Sequence, residues 1–498
     1  LYRIILYERG FFMEAMLNDA ISTINGYLWS YFIIFILIGA GLFFTMTTNF
    51  VQIRMIKEMI RLVISGAGSS TEKNHVSSFQ AFCVSTASRV GVGNIAGIAI
   101  AVVLGGPGAV FWMWVIALIG AATGFIESTL AQIYKEPVAK GGFYGGPAYY
   151  IRYGLNNKAL SVLFAILISI TYGWIYNSVQ ANTLAASLQV FNFDVSYTGA
   201  VVAILLGIII FGGISRVAKA SEIIVPIMAV LYIATALFVV IMNITQFPHV
   251  IYTIFSSAFE PVAAGGGLLG ATVMNGIKRG LFSNEAGEGS VPNAAATAAV
   301  NHPVEQGLVQ AFGVFLDTFI ICTASAFIVL VVGDYSTTGL TGVALVQHNL
   351  EQQLGSWAPT AVAIFIVMFS FSSLIGNYYY GEINISHLTE KRFYLHLFRI
   401  GVIIMTFVGS IASLDLVWNL ADLFMAFLVL TNISSIVRMG RTAGLALEDY
   451  IKQRKAGIET PVFNRSVLNH TYGIVWWGDG QTTDSSVPPT PVEDTVEK

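Results

Sequence analysis

Eleven stretches of this chain are apolar for about as long as a helix needs to cross a bilayer core, roughly 20 residues. The sequence predicts them at about 28–46, 79–104, 109–134, 160–190, 197–214, 222–244, 262–300, 304–332, 359–380, 393–411 and 414–437. Hydrocarbon holds no water to satisfy backbone N–H and C=O groups, so a spanning chain forms helices or a closed barrel. The predicted fold class is therefore an all-α polytopic membrane protein. Composition agrees: 55% of the 498 residues are hydrophobic and 11% are charged, against about 25% charged in soluble domains. No basic run points to nucleic acid, and the net charge of -3 says nothing about partners. The two cysteines, Cys83 and Cys322, both lie in apolar stretches, which argues against a disulfide framework and against a metal site.

Lys and Arg in the connecting loops set the predicted orientation. Arg54, Lys57, Arg61 and Lys73 follow the first stretch, and Lys135, Lys140, Arg152 and Lys158 follow the third. Arg216 and Lys219 follow the fifth, Lys391 and Arg392 the ninth, and a cluster from Arg438 to Lys455 the eleventh. Lys278 and Arg279 are read as lying towards the inner half of the seventh. The alternate loops carry no Lys or Arg. The prediction is a multi-pass protein of the cell membrane, with its N-terminus outside and its C-terminus in the cytoplasm.

Two stretches are rich in helix breakers. Gly91, Gly93 and Gly97 fall within seven residues of the second, beside Arg89 and Asn94. Each glycine costs up to about 1 kcal/mol relative to Ala in a helix interior. Irregular backbone survives at membrane depth only where protein or a water-filled cavity satisfies it. Two readings fit: an unwound hinge that holds an ion or a small polar solute, or a glycine-rich packing face between helices. The seventh stretch carries Gly265, Gly266, Gly267, Gly270, Gly276 and Gly280 and then NEAGEGSVPN. Its unwinding is predicted near Asn275 to Gly280. The two breaker-rich stretches are five spans apart, which predicts two five-helix repeats, 79–244 and 262–437. Five is odd, so the repeats are inverted relative to each other, and broken helices at matching positions point to a midplane binding site. One extra N-terminal helix and a cytoplasmic loop (1–78) precede the core. A cytoplasmic tail (438–498) follows and ends in a Pro/Ser/Thr segment predicted to be disordered.

Gly105 to Gly120 reads GGPGAVFWMWVIALIG. This stretch resembles the signature of the sodium:alanine/glycine symporter family, the alanine-or-glycine:cation symporters. GNIAG at 93–97, EPVAKGGFYGGPAYYI at 136–151, SVQANT at 178–183, RGLFSNEAG at 279–287 and FLDTF at 315–319 extend the resemblance. It covers about 28–448. The family's fold is similar to that of the leucine transporter, as the repeat argument independently suggests.

The resemblance implies roles for particular residues. A sodium ion, the co-transported cofactor, would take the backbone carbonyls of Ala87 and Val90 and the hydroxyls of Ser372 and Ser373. Serines of a helix equally bond back to their own helix. An amino-acid zwitterion needs N–H donors for its carboxylate and acceptors for its ammonium. Gly91 and Gly93 allow backbone amides to approach it closely, and Asn94 both donates and accepts. Gln180 is implicated as a substrate ligand; an amide there could instead bond between helices for about 1 kcal/mol. It lies four residues from Tyr176, on the same helix face. On the seventh stretch, independently of the resemblance, Asn275 and Gly276 are the candidates at the predicted unwinding. Asn377 stands where some family members carry Trp; an amide leaves more room, so a larger polar amino acid such as glutamine could also be accepted.

Arg89, Glu127, Glu285, Glu288 and Asp317 are intramembrane charges that need partners. Glu288 falls where the family's NEAG stretch suggests an apolar residue. These charges either couple a proton, pair with Arg89, or line an aqueous vestibule. GGFYGGPAYY at 141–150 lacks the Lys-Ser/Thr ending of a phosphate-binding loop, so an ion gradient rather than ATP is the expected energy source. The predicted function is sodium-coupled symport of alanine, glycine or a similar small neutral amino acid into the cell, by alternating access. The partners are that amino acid, sodium and the bilayer. Alternatives are a proton-coupled or broader-specificity symporter and, from a different class, a channel or ion-sensing receptor on the same scaffold. No nucleophile–base pair suggests an enzyme.

Overall fold

The computed structural model describes residues 2–66, 76–138, 142–212, 214–259 and 270–478. The start of the seventh predicted span and the Pro/Ser/Thr segment lie outside the described residues. Among the described residues, eight helices are long and apolar enough to cross a membrane: Glu14–Thr47, Ala109–Ile133, Lys158–Phe191, Ile223–Met242, Pro303–Leu330, Ala358–Leu388, Arg392–Ile411 and Leu414–Lys455. A ninth span is a bent pair, Ser78–Arg89 with Val92–Gly105, whose halves meet at 57°. The other two predicted spans are shorter: Val195–Ile210, and Ala271–Asn284 with the one-turn helix Val291–Ala295.

Burial is arranged for a lipid solvent. Large apolar side chains such as Ile204, Ile208, Val230 and Ile241 are exposed, whereas Arg89, Glu127, Glu285, Glu288 and Asp317 are buried. Ionisable groups inside a membrane protein belong in the bundle interior, where other protein groups can satisfy them. All five lie near the breaks in the helices.

The bent pair starts in a capping box. Ser77 Oγ accepts from the Gln80 N–H, and Gln80 Oε1 accepts from the Ser77 N–H, both at 3.0 Å. Such a cap is worth about 1 kcal/mol. The helix ends at Arg89, where Gly91 takes an extended backbone (φ -132°, ψ -153°). A 3-10 turn, Val92–Asn94, leads into the second half, Ala96–Gly105.

The seventh span breaks later than its glycines suggest. Ala271–Asn284 is one continuous helix through Asn275, Gly276 and Gly280. Those glycines make room for neighbours: a Cβ on Gly276 would overlap the Ala109 carbonyl, and one on Gly280 would crowd Ile116 Cγ2 at 3.0 Å. The unwinding lies at Glu285–Ser290, where Glu285, Gly287 and Gly289 all have positive φ (58°, 106° and 78°). Glycine adopts this region freely, whereas for Glu285 it is a strained conformation.

Three more features depart from the predicted layout. A helix, Gly342–Leu354, occupies the predicted loop 333–358. Three spans contain π-helical turns, at Trp29–Ile33, Thr171–Tyr176 and Leu316–Cys322, a feature often found at functional sites. The last helix runs past residue 437 to Lys455, and the chain beyond it folds back onto the face where Ser78 lies. There the Phe463 N–H donates to the Asn301 carbonyl and Trp477 Nε1 donates to the Gln132 carbonyl. Trp477 covers Lys135, a fully buried lysine. Burial pushes the Lys135 pKa well down. Its ammonium donates to the Ala298 carbonyl at 2.8 Å and lies over the rings of Phe143 (4.1 Å) and Trp477 (5.0 Å), contacts that favour the charge. Trp477→Ala therefore opens a cavity over the buried Lys135 amine. It is expected to destabilise by about 3 kcal/mol or more, seen as a lower thermal unfolding midpoint in detergent, and an unchanged midpoint would contradict this packing.

Candidate functional site

A helix that stops in hydrocarbon leaves carbonyls and amides without their i→i+4 partners. At the first break the orphaned groups can be followed one by one. In an unbroken helix the Ala87 carbonyl would accept from Gly91 N–H, and the Ser88 carbonyl from Val92 N–H. Here Gly91 N–H donates to Asn94 Oδ1 (2.9 Å) and Val92 N–H to Gln180 Oε1 (3.1 Å). The two carbonyls instead face Ser373 Oγ, at 2.9 and 3.3 Å. Side chains from three helices thus stand in for the missing turn.

Most of the residues singled out in the sequence meet here. Ala87, Gly91, Asn94, Gln180 and Ser373 form one connected set. Gly91 has no room for a side chain, because a Cβ would overlap Ser373 Oγ and sit 3.0 Å from the Gln180 amide. Gly93 packs on Phe282, 2.7 Å from where its Cβ would be. Val90 is the C-cap of the first half-helix and is fully buried. Asn377 joins through Ser88, whose hydroxyl lies 2.7 Å from both Asn377 Oδ1 and Glu285 Oε1.

Three candidates lie apart from this set. Ser372 bonds back to Phe369 O on its own helix at 2.9 Å, the local pattern open to any helical serine. Asn275 likewise bonds back to Ala271 O (2.9 Å), and its Cβ packs near Gly105. Gly276 is a packing contact with the helix Ala109–Ile133. The predicted second unwinding at these two residues is corrected to Glu285–Ser290.

The two breaks are joined through Asn94. Its Nδ2 donates to Asp317 Oδ1 (2.5 Å) and to Ser283 Oγ (2.7 Å), while Ser283 Oγ also donates to Asp317 Oδ2 (2.7 Å). Asp317 sits in a π-helical turn, so one side chain of the first broken helix ties the seventh and eighth spans together. At the start of the second break, Glu285 accepts from Ser88 and from Ser290 Oγ (2.7 Å). These bonds hold its strained backbone in place. Glu127 accepts from Gly287 N–H (3.2 Å) and Asn432 Nδ2 (2.7 Å). Glu288 accepts from the hydroxyls of Tyr172 (2.7 Å) and Tyr176 (3.1 Å), both in the π-helical turn of the fourth span.

Arg89 forms no ion pair within 4 Å among the described residues. Its Nη1 donates to the Gln310 carbonyl at 3.1 Å, and Nε and Nη2 have no hydrogen-bond partner there. Buried ion pairs lie elsewhere, one of them between Arg399 Nη2 and Glu382 Oε1 at 3.0 Å. Asp422 Oδ2 takes Arg279 Nη2 at 2.9 Å and Lys278 Nζ at 3.4 Å, with Arg279 over Trp418 and Lys278 over Trp29. These cations are buried and paired inside the bundle, so they carry no topology signal. Gly97 abuts both Trp418 and Arg279, which puts this cluster on the Gly105 side of the first break. Sequence reasoning missed Asp422, although an acid within an apolar stretch was the available signal. It also missed Ser88 and Ser283, ordinary small polar residues with no local mark.

The chain matches the model of the "Sodium:alanine symporter family" over residues 13–465. A Bacillus subtilis protein named "Probable sodium/glutamine symporter" is 50% identical, with 93% of this chain and 97% of that protein covered. A sodium/alanine symporter of Methanococcus maripaludis is 39% identical, covering 84% and 93% of the two chains. The crystal structure of MhsT in complex with L-phenylalanine superposes with a TM-score of 0.54 over 76% of this chain and 90% of that one. At 16% identity that likeness speaks for the fold, which is leucine-transporter-like. A match across nearly the whole chain, with relatives at this identity, makes this protein a member of the sodium:alanine symporter family, a family of amino-acid transporters.

Proposed function

We propose that this chain is a secondary active transporter that carries alanine, glycine or a similar small neutral amino acid into the cell together with sodium. The observation that carries this reading is the set of backbone groups released at the first break and held by Ser373, Asn94 and Gln180. Sodium is a hard cation and is suited to oxygen ligands. The carbonyls of Ala87 and Val90 with Ser373 Oγ offer such a site. Ser372 is the weaker candidate, since its hydroxyl already serves its own helix. The amides of Gly91 and Val92, now taken by side-chain oxygens, are suited to a substrate carboxylate. Gln180 and Asn377 border the same space. Asn275 and Gly276 are left out of the site, because the unwinding that made them candidates lies at Glu285–Ser290 instead.

In this reading the eleven spans form two inverted five-helix repeats, 79–244 and 262–437, with one extra helix before them. The N-terminus lies outside and the tail in the cytoplasm. Alternating access works about the breaks at Val90–Ile95 and Glu285–Ser290. Glutamine is a second accepted substrate: Asn377 leaves the site roomier than Trp would, and a relative sharing half the sequence is named for glutamine.

Uptake of labelled alanine into proteoliposomes is expected to follow an inward sodium gradient and to ignore a proton gradient imposed alone. Uptake that follows protons, or neither ion, would contradict sodium symport. Ser373→Ala is expected to raise the sodium concentration for half-maximal uptake roughly tenfold, the loss of about one charge-assisted hydrogen bond or ligand; an unchanged sodium dependence would remove Ser373 from the site. Gln180→Ala and Asn94→Ala are expected to abolish alanine binding. Asn94→Ala should also lower the unfolding midpoint, because Asp317 loses a buried donor worth about 1–3 kcal/mol. Wild-type alanine affinity in both variants would discard this site.

A further inference from the structure

Glu288 is fully buried in the second break, and the symport chemistry above makes no use of it. Its two oxygens differ. Oε2 accepts both tyrosine hydroxyls, from Tyr172 and Tyr176, whereas Oε1 has no hydrogen-bond partner among the described residues. A buried acceptor left without a donor is costly, and charged acceptors cost most. Two donors on one oxygen fix the direction of the carboxyl group and leave the other oxygen available to a further N–H or O–H.

The position of Glu288 indicates what could supply that donor. Tyr176 and Gln180 are four residues apart on the same face, about 6 Å along the axis. Gln180 bonds the first break at Val92, and Tyr176 bonds Glu288. The Tyr176 ring also packs on Phe282 (4.7 Å), the residue against Gly93. Glu288 and the backbone groups proposed to hold the amino-acid carboxylate are thus linked by neighbouring side chains of one helix, Tyr176 and Gln180. An alanine methyl brings no donor to Glu288. A longer side chain ending in N–H₂ carries a donor towards it.

We infer that Glu288 is a specificity-determining residue that reads the side-chain carboxamide of a longer neutral amino acid through its free Oε1. The substrate class is an amino acid of glutamine's length whose side chain ends in an N–H donor. This rests on the amino-acid symport reading above and assigns a role that alanine transport does not require. A carboxylate rejects glutamate, the isostere that replaces the N–H₂ by a negatively charged oxygen, through like-charge repulsion and a missing donor.

The test is competition against sodium-driven uptake of labelled alanine in proteoliposomes, with unlabelled glutamine, asparagine and glutamate as probes, in wild type and in Glu288→Gln. This substitution keeps an acceptor for the two tyrosines and nearly the same shape. Wild type is expected to be inhibited by glutamine, more weakly by the shorter asparagine, and least by glutamate. In Glu288→Gln, glutamine inhibition is expected to weaken by about tenfold or more, glutamate to gain relative to glutamine, and the alanine KM to stay within about twofold. A glutamine-to-glutamate preference unchanged in the variant overturns the assignment while alanine symport stands. A parallel loss of alanine and glutamine, or a pH profile that disappears for both, also overturns it, because it marks a structural or proton-carrying residue. In the second variant, Glu288→Asp, glutamine recognition is expected to weaken with alanine uptake retained, since the shorter acid draws Oε1 back. Glutamine recognition equal to wild type in Glu288→Asp overturns the assignment. Wild-type alanine uptake that glutamine cannot inhibit overturns it as well. Absence of any amino-acid uptake overturns this inference together with the reading on which it rests.

Discussion

The structure depends on how broken backbone is satisfied in a place without water. Two spans stop and restart inside the bundle. Each stop frees N–H and C=O groups that would cost several kcal/mol apiece if left bare in hydrocarbon. Ser373 takes two of the freed carbonyls, and Asn94 takes a freed amide and also reaches across to the second break. The Asn94 side-chain carbonyl oxygen takes the Gly91 N–H, and its amide nitrogen reaches Ser283 and Asp317. One short side chain thereby closes the first break and fixes it to the spans beside the second. Gln180 and Ser373 complete the closure from the fourth and ninth spans. The same groups are chemically fit to hold a carboxylate, an ammonium and a hard cation. A site of this kind is stable and also exchangeable, since a bound solute can take over hydrogen bonds that side chains otherwise supply.

The second break is built differently. Its backbone is set by positive φ at Glu285, Gly287 and Gly289. Its side chains supply carboxylates held by hydroxyl donors: Ser88 of the second span and Ser290 of the break itself for Glu285, and Tyr172 and Tyr176 of the fourth span for Glu288. Glu127, from the third span, adds the Gly287 amide and Asn432. Buried charge held this way is costly in the membrane and is usually kept for function. The π-helical turns at Thr171–Tyr176 and Leu316–Cys322 present Tyr172, Tyr176 and Asp317 to this region. Neither π turn has a sequence mark of its own.

Much of the fold and part of the site were legible in the sequence. Apolar length located the spans, because hydrocarbon thickness is a hard limit. Three glycines and an asparagine in an apolar run located the first break, because no helix tolerates that combination without cause. The second break was misplaced by about ten residues. Gly276 and Gly280 are there for close helix packing, and a glycine used for packing looks the same in sequence as one used for unwinding. The signal that would have corrected the position was NEAGEGS itself, where acidic residues and glycines alternate in a segment too polar to remain helical in lipid. Ser88 and Ser283 could not be found, since only the tertiary fold brings them to Glu285 and Asp317. The tail is polar along most of its length, and the part of it that packs, up to residue 478, does so through a few apolar side chains, Phe463, Leu468, Ile474 and Trp477, too widely spaced to stand out in the sequence.

The central claim is that one break binds an amino acid and sodium together, so each must strengthen the other. Thermodynamic linkage requires the two effects to be equal. Equilibrium binding of labelled alanine to the purified protein, titrated across sodium concentrations, tests this directly when paired with sodium titrations across alanine concentrations. The account predicts that sodium raises alanine affinity and that alanine raises sodium affinity by the same factor. Alanine affinity that does not change with sodium would contradict it.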